Sequence, residues 1–248
     1  MTARKLVLPS ILALVGFAGL VALGVWQLER KTWKEGLIAQ VEARAAGAPV
    51  DITDMPPEWR DPARLADVDF TRVVIRGKFD NSRELHMIAP QRNGAGWMVI
   101  TRFDAPEGSV LVMRGVVPDQ LKDPAKRAAG QIEGDVAVIG RIRQPEQAGL
   151  FTPANDVARN NWFWRDLAGM QHATGIDEAS KALPFFIELE APVPAGAGPR
   201  PQLDQVNLRN DHLQYAITWF ALAGVMVVMF AVWLRGQFRD ERKSETIS

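Results

Sequence analysis

The chain has 248 residues and no net formal charge, with 29 Lys and Arg set against 29 Asp and Glu. It contains no cysteine, which excludes a disulfide framework, a thiolate metal site, cysteine nucleophile chemistry and covalent c-type haem attachment. Balanced charge with only short basic runs leaves no electrostatic footprint for nucleic acid, so no nucleic-acid partner is expected.

Hydrophobicity is concentrated at the two ends. Residues 6–28 are apolar apart from Ser10 and Gln27, and they are flanked by Arg4 and Lys5 on one side and Glu29, Arg30 and Lys31 on the other. About 20 apolar residues cover the hydrocarbon thickness of a bilayer as a helix, so this is predicted as a first transmembrane helix. A cleaved signal peptide would have a shorter apolar run and an Ala-x-Ala-like site, so an uncleaved anchor is expected. The small residues Ala18 and Ala22, with Gly16, Gly19 and Gly24 nearby, allow close approach of a second helix, and Ala221, Ala223 and Gly224 offer matching relief later in the chain.

The helix continues out of the membrane through Trp26, Gln27, Arg30, Trp33 and Lys34, with Leu37, Ile38 and Val41 at helical spacing to about Ala46. Trp26 and Trp33 share a face and suit the interfacial aromatic belt. Residues 49–62 form a Pro- and acid-rich connector, after which the pattern alternates. Val73, Ile75, Gly77 and Phe79 point one way and Arg72, Arg76 and Lys78 the other, as in a half-buried strand. Asp80-Asn81-Ser82 is predicted to turn the chain, and short strands follow over residues 84–89, 97–103, 109–117 and 135–143. Their spacing predicts an antiparallel sandwich or barrel, with a last strand over 184–190. Asn161-Trp162-Phe163-Trp164 is predicted as a strand whose aromatics serve the core more than a ligand, leading to a short helix through His172, with Arg165 and Asp166 as a local ion pair. The Pro- and Gly-rich segment 191–201 is predicted as a linker.

Residues 215–234 are uncharged and form the second predicted span, stopped by Arg235. At about 100° per residue, His212, Tyr215, Ala216, Trp219, Ala223 and Met226 share one side of this helix. That stripe suits either ordinary helix packing with an interfacial aromatic belt or a docking face for a ligand. The expected organisation is therefore a transmembrane helix over 6–28, an extracytoplasmic β-rich domain over 29–209, a second transmembrane helix over 212–234 and a cytoplasmic tail over 235–248. Arg235, Arg239, Arg242 and Lys243 favour a cytoplasmic C-terminus, while Arg30, Lys31 and Lys34 lie just beyond the first span, so the charge rule is divided; long loops translocate largely regardless of charge, and inside tails are expected.

Chemistry is sparse. There is no Gly-x-Ser-x-Gly, P-loop or Gly-x-Gly-x-x-Gly, and His86, His172 and His212 are too far apart in sequence to form a local metal motif. His86 followed by Met87 reads as a strand histidine that packs or hydrogen-bonds, not as a copper site. His212 is the best candidate, because a neutral imidazole at a membrane surface can ligate haem iron while apolar helices hold the macrocycle.

Several motifs in order resemble the Surfeit locus protein 1 family of cytochrome c oxidase assembly factors. They are Gly24-x-Trp26-Gln27-Leu28-x-Arg30-x-x-Trp33-Lys34, Gly77-x-Phe79-Asp80 with Glu84, Arg114-Gly115 with Pro118, Phe151-x-Pro153-x-Asn155, Asn161-Trp162-Phe163-Trp164-x-Asp166, and Asn210-x-His212-Leu213-x-Tyr215-Ala216-x-Thr218-Trp219-Phe220. The chain departs from the family at Arg114-Gly115-Val116-Val117-Pro118, where relatives commonly have Arg-Gly-Trp-x-Pro, and at Thr101-Arg102, where Thr-Pro is frequent. The resemblance implies two spans flanking an outer domain in an inner (plasma) membrane, with both termini cytoplasmic and the central domain periplasmic. It also implies a non-enzymatic role in oxidase assembly, with the bilayer, the oxidase catalytic subunit and haem a synthase as partners. Haem a, transiently bound, is the implied cofactor, with His212 its metal ligand. Tyr215 and Trp219 would line the pocket, and Arg30 or Arg209 would pair with the propionates. The alternative is a cofactor-free membrane scaffold that stabilises the catalytic subunit, in which His212 only packs. An enzyme of haem modification is disfavoured, because such enzymes usually need several intramembrane His or acidic groups.

Overall fold

The computed structural model describes residues 4–91, 94–203 and 210–245. In chain order the elements are α1 (Arg4–Ala46), β1 (Val50–Asp51), α2 (Leu65–Val68), β2 (Arg72–Gln91), β3 (Gly94–Ala105), β4 (Gly108–Pro118), β5 (Val136–Arg143), α3 (Leu167–Ala173), β6 (Phe186–Leu189) and α4 (His212–Glu245). The chain separates into two compact units, one of Met1–Ala39 with Asn207–Ser248 and one of Gln40–Val206. The first is the pair of helices α1 and α4, both long and apolar enough to cross a membrane. The two spans are thus where the hydrophobic runs place them, and α1 ends at Ala46 as its periodicity predicts.

The second unit is a mixed sheet. β2, β3, β4, β6 and β5 pair in that order and β5 returns to β2, which closes a ring of five strands; β1 is added to β2. The barrel alternative is therefore the one realised, but β1–β2 and β4–β6 are parallel, so the sheet is not purely antiparallel. Closure removes free edges, as barrels do. β4 is buried on both faces: Val110 and Val112 enter one core cluster with Val73, Ile75, Phe103 and Ile187, while Leu111 and Met113 enter another with Ile100, Trp162, Met170 and Phe186. A strand covered on both faces has no reason to alternate, and the run Ser109-Val110-Leu111-Val112-Met113 does not.

The turn expected at Asp80-Asn81-Ser82 is a bulge within β2. The register slips between Asp80, opposite Arg102, and Leu85, opposite Ile100. Asp80 accepts from the Ser82 amide at 3.0 Å and the Ser82 hydroxyl at 2.6 Å, so the local turn chemistry is real but is absorbed without reversing the chain. Residues 72–77 of β2 pair with β5, and residues 78–80 before the bulge and 85–91 after it pair with β3.

The segment 160–166 also differs from expectation. Trp162 makes a single bridge to β2, donating to the His86 carbonyl and accepting from the Ile88 amide, and is fully buried. That agrees with a core role, while Phe163 is exposed. Arg165 pairs with Glu146 at 2.9 Å, and Asp166 instead caps α3 by accepting from the Gly169 amide. The predicted linker is pinned to the barrel: Arg200 and Val116 exchange backbone hydrogen bonds of 2.7 and 3.1 Å. Gly115, at φ +129°, allows this, because a Cβ there would lie 2.4 Å from the Arg200 backbone.

Buried charges are a feature of this unit. Arg127 donates to both oxygens of Glu84, whose Oε1 also meets His86 Nε2 at 2.7 Å. Burial raises the Glu84 carboxyl, but the hydrogen bonds from His86 and Arg127 outweigh it and hold it below the usual range. Arg72 grips Glu190 with two bonds of 2.7 Å, which lowers Glu190 likewise. Arg114 is fully buried under the Phe79 ring, donates to the Gly130 and Val193 carbonyls, and is pushed down by burial to about 10.

Candidate functional site

The two helices meet through small residues. Ala216 and Ala223, seven apart on α4, are buried, with His212, Trp219 and Met226 half-buried on the same stripe. The face anticipated from helical spacing is therefore the contact face, with Tyr215 at its margin, 56% exposed. Within the part of α1 that belongs to this unit, Gly24 is buried: a Cβ there would stand 2.6 Å from the Phe220 ring, and one at Gly16 would stand 3.0 Å from Met226 Cε. Gly19 and Gly224 meet nothing within 4 Å, and Ala18 and Ala22 are exposed. The spans thus pair through small residues, by a narrower set than composition offered.

One turn beyond Gly24, Gln27 reaches the start of α4. Its Oε1 lies 2.7 Å from His212 Nδ1. Among the described residues, Nε2 of His212 has no hydrogen-bond partner, so half of the imidazole's polar capacity is unspent. Arg30, one turn further, is exposed and lies over the Trp33 ring at 4.4 Å, a cation–π contact that leaves its N–H edge available. Lys31 pairs with Glu35 at 2.7 Å. Arg209 lies outside the described residues. The structure therefore joins His212 to Gln27, with Trp219 seven residues further along the same stripe, Tyr215 at its margin and Arg30 following on α1.

Gln27 had no assigned role in the sequence reading. Its signal was present, since it and Ser10 are the only polar residues of the first span, and Ser10 spends its hydroxyl on its own helix at the Leu6 carbonyl. A polar side chain in a span is costly without a partner, which is reason to look for one on the neighbouring helix.

The barrel unit has a cavity of about 500 Å³ beside Glu84, His86, Asn160 and Trp162. His86 is committed there at both ring nitrogens, to Glu84 at Nε2 and to the Asn160 amide nitrogen at 3.3 Å from Nδ1. Asn160 is itself engaged by the Glu84 carbonyl and by Trp162 Nε1. This arrangement fastens the 160–162 bridge to β2 and leaves His86 no free lone pair. Among the described residues no group of three or more His, Asp or Glu could hold a bare metal ion. One imidazole nitrogen without a partner among the described residues is the kind of donor that an iron porphyrin, which brings its own equatorial ligands, would use.

Residues 14–224 match the family model described as the SURF1 family. The chain is 36% identical to Surfeit locus protein 1 of Homo sapiens over 86% of this chain and 74% of that protein. It is 35% identical to Surfeit locus protein 1 of Mus musculus over 81% of this chain and 67% of that one. A SURF1-like protein of Monosiga brevicollis is 36% identical over 86% of this chain and 82% of its own length.

Proposed function

Since the chain belongs to the SURF1 family, known as cytochrome c oxidase assembly factors, we propose that it binds haem a at the outer end of its helix pair and hands it to the oxidase catalytic subunit. The observation that carries this reading is His212, held at the start of α4 through Nδ1, with no partner for Nε2 among the described residues, beside an apolar helix pair. Haem a would be cargo, and the His212 imidazole would hold it through the iron. A single protein ligand suits transfer, because a second fixed ligand would slow release.

The remaining residues have roles that follow from their chemistry. Trp219, half-buried on the His212 stripe, gives the macrocycle a flat apolar wall, and Tyr215 extends it toward the lipid face. Arg30 would meet a propionate without giving up Trp33, since a guanidinium can stack by its face while donating from its edge. Arg209 is proposed as a second propionate partner from charge and chain position. The membrane is the inner (plasma) membrane, with both termini cytoplasmic and the barrel unit periplasmic. The partners are the catalytic subunit and, as haem donor, haem a synthase.

The test is the absorption spectrum of the detergent-purified chain from cells that make haem a, beside His212→Ala at equal folded yield. Haem a in the first, lost or spectrally shifted in the second, supports the reading. Haem in neither, with oxidase assembly intact in the variant, overturns it and leaves the cofactor-free scaffold as the better account.

A further inference from the structure

We infer that Gln27 is a positioning residue that fixes the tautomer of His212, holding the ring proton on Nδ1 so that Nε2 presents its lone pair to iron. The inference rests on the haem reading of His212 and adds to it the group that prepares the ligand. A neutral imidazole carries one N–H, and which nitrogen bears it is decided by what the ring meets. Here the Gln27 carbonyl oxygen lies 2.7 Å from Nδ1. A carbonyl can only accept, so Nδ1 donates and Nε2 is left bare. If the amide were turned the other way, its NH₂ would donate to Nδ1, the ring proton would move to Nε2, and His212 could not ligate without changing tautomer. The two arrangements give opposite chemistry.

The approach of the helices makes the contact reachable. Gly24 has no side chain where a Cβ would meet the Phe220 ring at 2.6 Å, so the backbones draw together one turn before Gln27. The histidine and its acceptor thus come from different helices, and the ligand is prepared only when α1 and α4 are paired. An acceptor on the far nitrogen also makes the imidazole a more basic ligand, as metal-bound histidines show when they donate to a carbonyl or carboxylate.

The test uses the full chain in detergent, labelled with ¹⁵N-histidine. Only three histidines contribute, and the His212→Ala spectrum identifies which signals are lost. Without haem, the wild type is expected to show His212 protonated at Nδ1, Gln27→Leu to lose that preference, and Gln27→Glu, which can only accept, to keep it. With ferric protoporphyrin IX as the probe, Gln27→Leu is expected to bind about 10–100-fold more weakly, the usual cost of losing such an outer partner. Gln27→Glu is expected to retain the wild-type affinity with a lower reduction potential; a misfolded site would lose the affinity as well, so the two readings together separate the cases. Proton on Nε2 in the wild type, or wild-type tautomer and affinity in Gln27→Leu while His212→Ala loses haem, overturns the role of Gln27 and leaves the haem reading standing. Haem binding unchanged by His212→Ala overturns the haem reading, and with it the purpose assigned to the tautomer.

Discussion

The barrel and the helix pair each contain a histidine facing a polar partner, and they use it in opposite ways. In the barrel, His86 is closed at both nitrogens by Glu84 and Asn160, inside a cluster that Arg127 completes. In the helix pair, His212 is tied at one nitrogen by Gln27 and, among the described residues, open at the other. The barrel satisfies the ring because its buried groups must be paired to be tolerated at all. The helix pair brings small residues to its interface and a polar bridge from Gln27 to one ring nitrogen, so the ring is oriented without both nitrogens being engaged among the described residues. A histidine's availability is thus set by how many of its nitrogens the fold engages, and the more deeply buried of these two is the less available.

The sharpest way to break this comparison is at Glu84. Glu84→Ala leaves Arg127 and His86 without their carboxylate in a buried site, and the barrel is expected to lose about 3–5 kcal/mol. Urea unfolding followed by tryptophan fluorescence reads this, and a loss under about 1 kcal/mol would falsify the claim that the cluster is structural. The haem spectrum of the folded fraction is expected to stay unchanged.

Next in size is Gly24→Leu, which puts a branched side chain into the Phe220 ring and forces the helices apart. Haem affinity is expected to fall at least about tenfold, equivalent to about 1.4 kcal/mol. The barrel's urea midpoint is expected to hold. Movement of both together would show that the two units do not behave independently.

Acid unfolding separates them further. Glu84 and Glu190 both titrate below the ordinary glutamate value of 4.5 when folded. Each therefore contributes stability that is fully present above about 4.5 and is lost as pH falls through the folded value. The barrel is expected to weaken over that window, and Glu190→Gln to flatten the loss. An identical acid limb in the variant would remove Glu190 from the account.

The smallest effect is expected from Arg30→Ala. An exposed cation is screened, so its contribution to haem binding should be a few-fold at low salt and fade toward unity at high salt. A salt-independent loss would point instead to the Trp33 contact.

Much of this protein was legible in its residues because the signals are local and long. Twenty uncharged, almost wholly apolar residues make a helix long enough to cross a bilayer, and helical spacing places His212, Ala216, Trp219 and Ala223 on one stripe, the stripe that packs. Strand alternation marked Val73, Ile75 and Phe79 as core, which they are. The Asp80-Asn81-Ser82 signal was also read correctly as chemistry and wrongly as topology, since a turn motif does not say whether the strand resumes its pairing. Tertiary structure alone decided the closure of the barrel, with its parallel β4–β6 pairing, because register between distant strands depends on partners and not on the strand's own sequence. It alone matched Arg127 to Glu84 across 43 residues and Gln27 to His212 across 185. Complementary polar groups carry no mark of each other along the chain. They find each other only when packing removes the water that would otherwise satisfy them, and at His212 that packing leaves one nitrogen to spare.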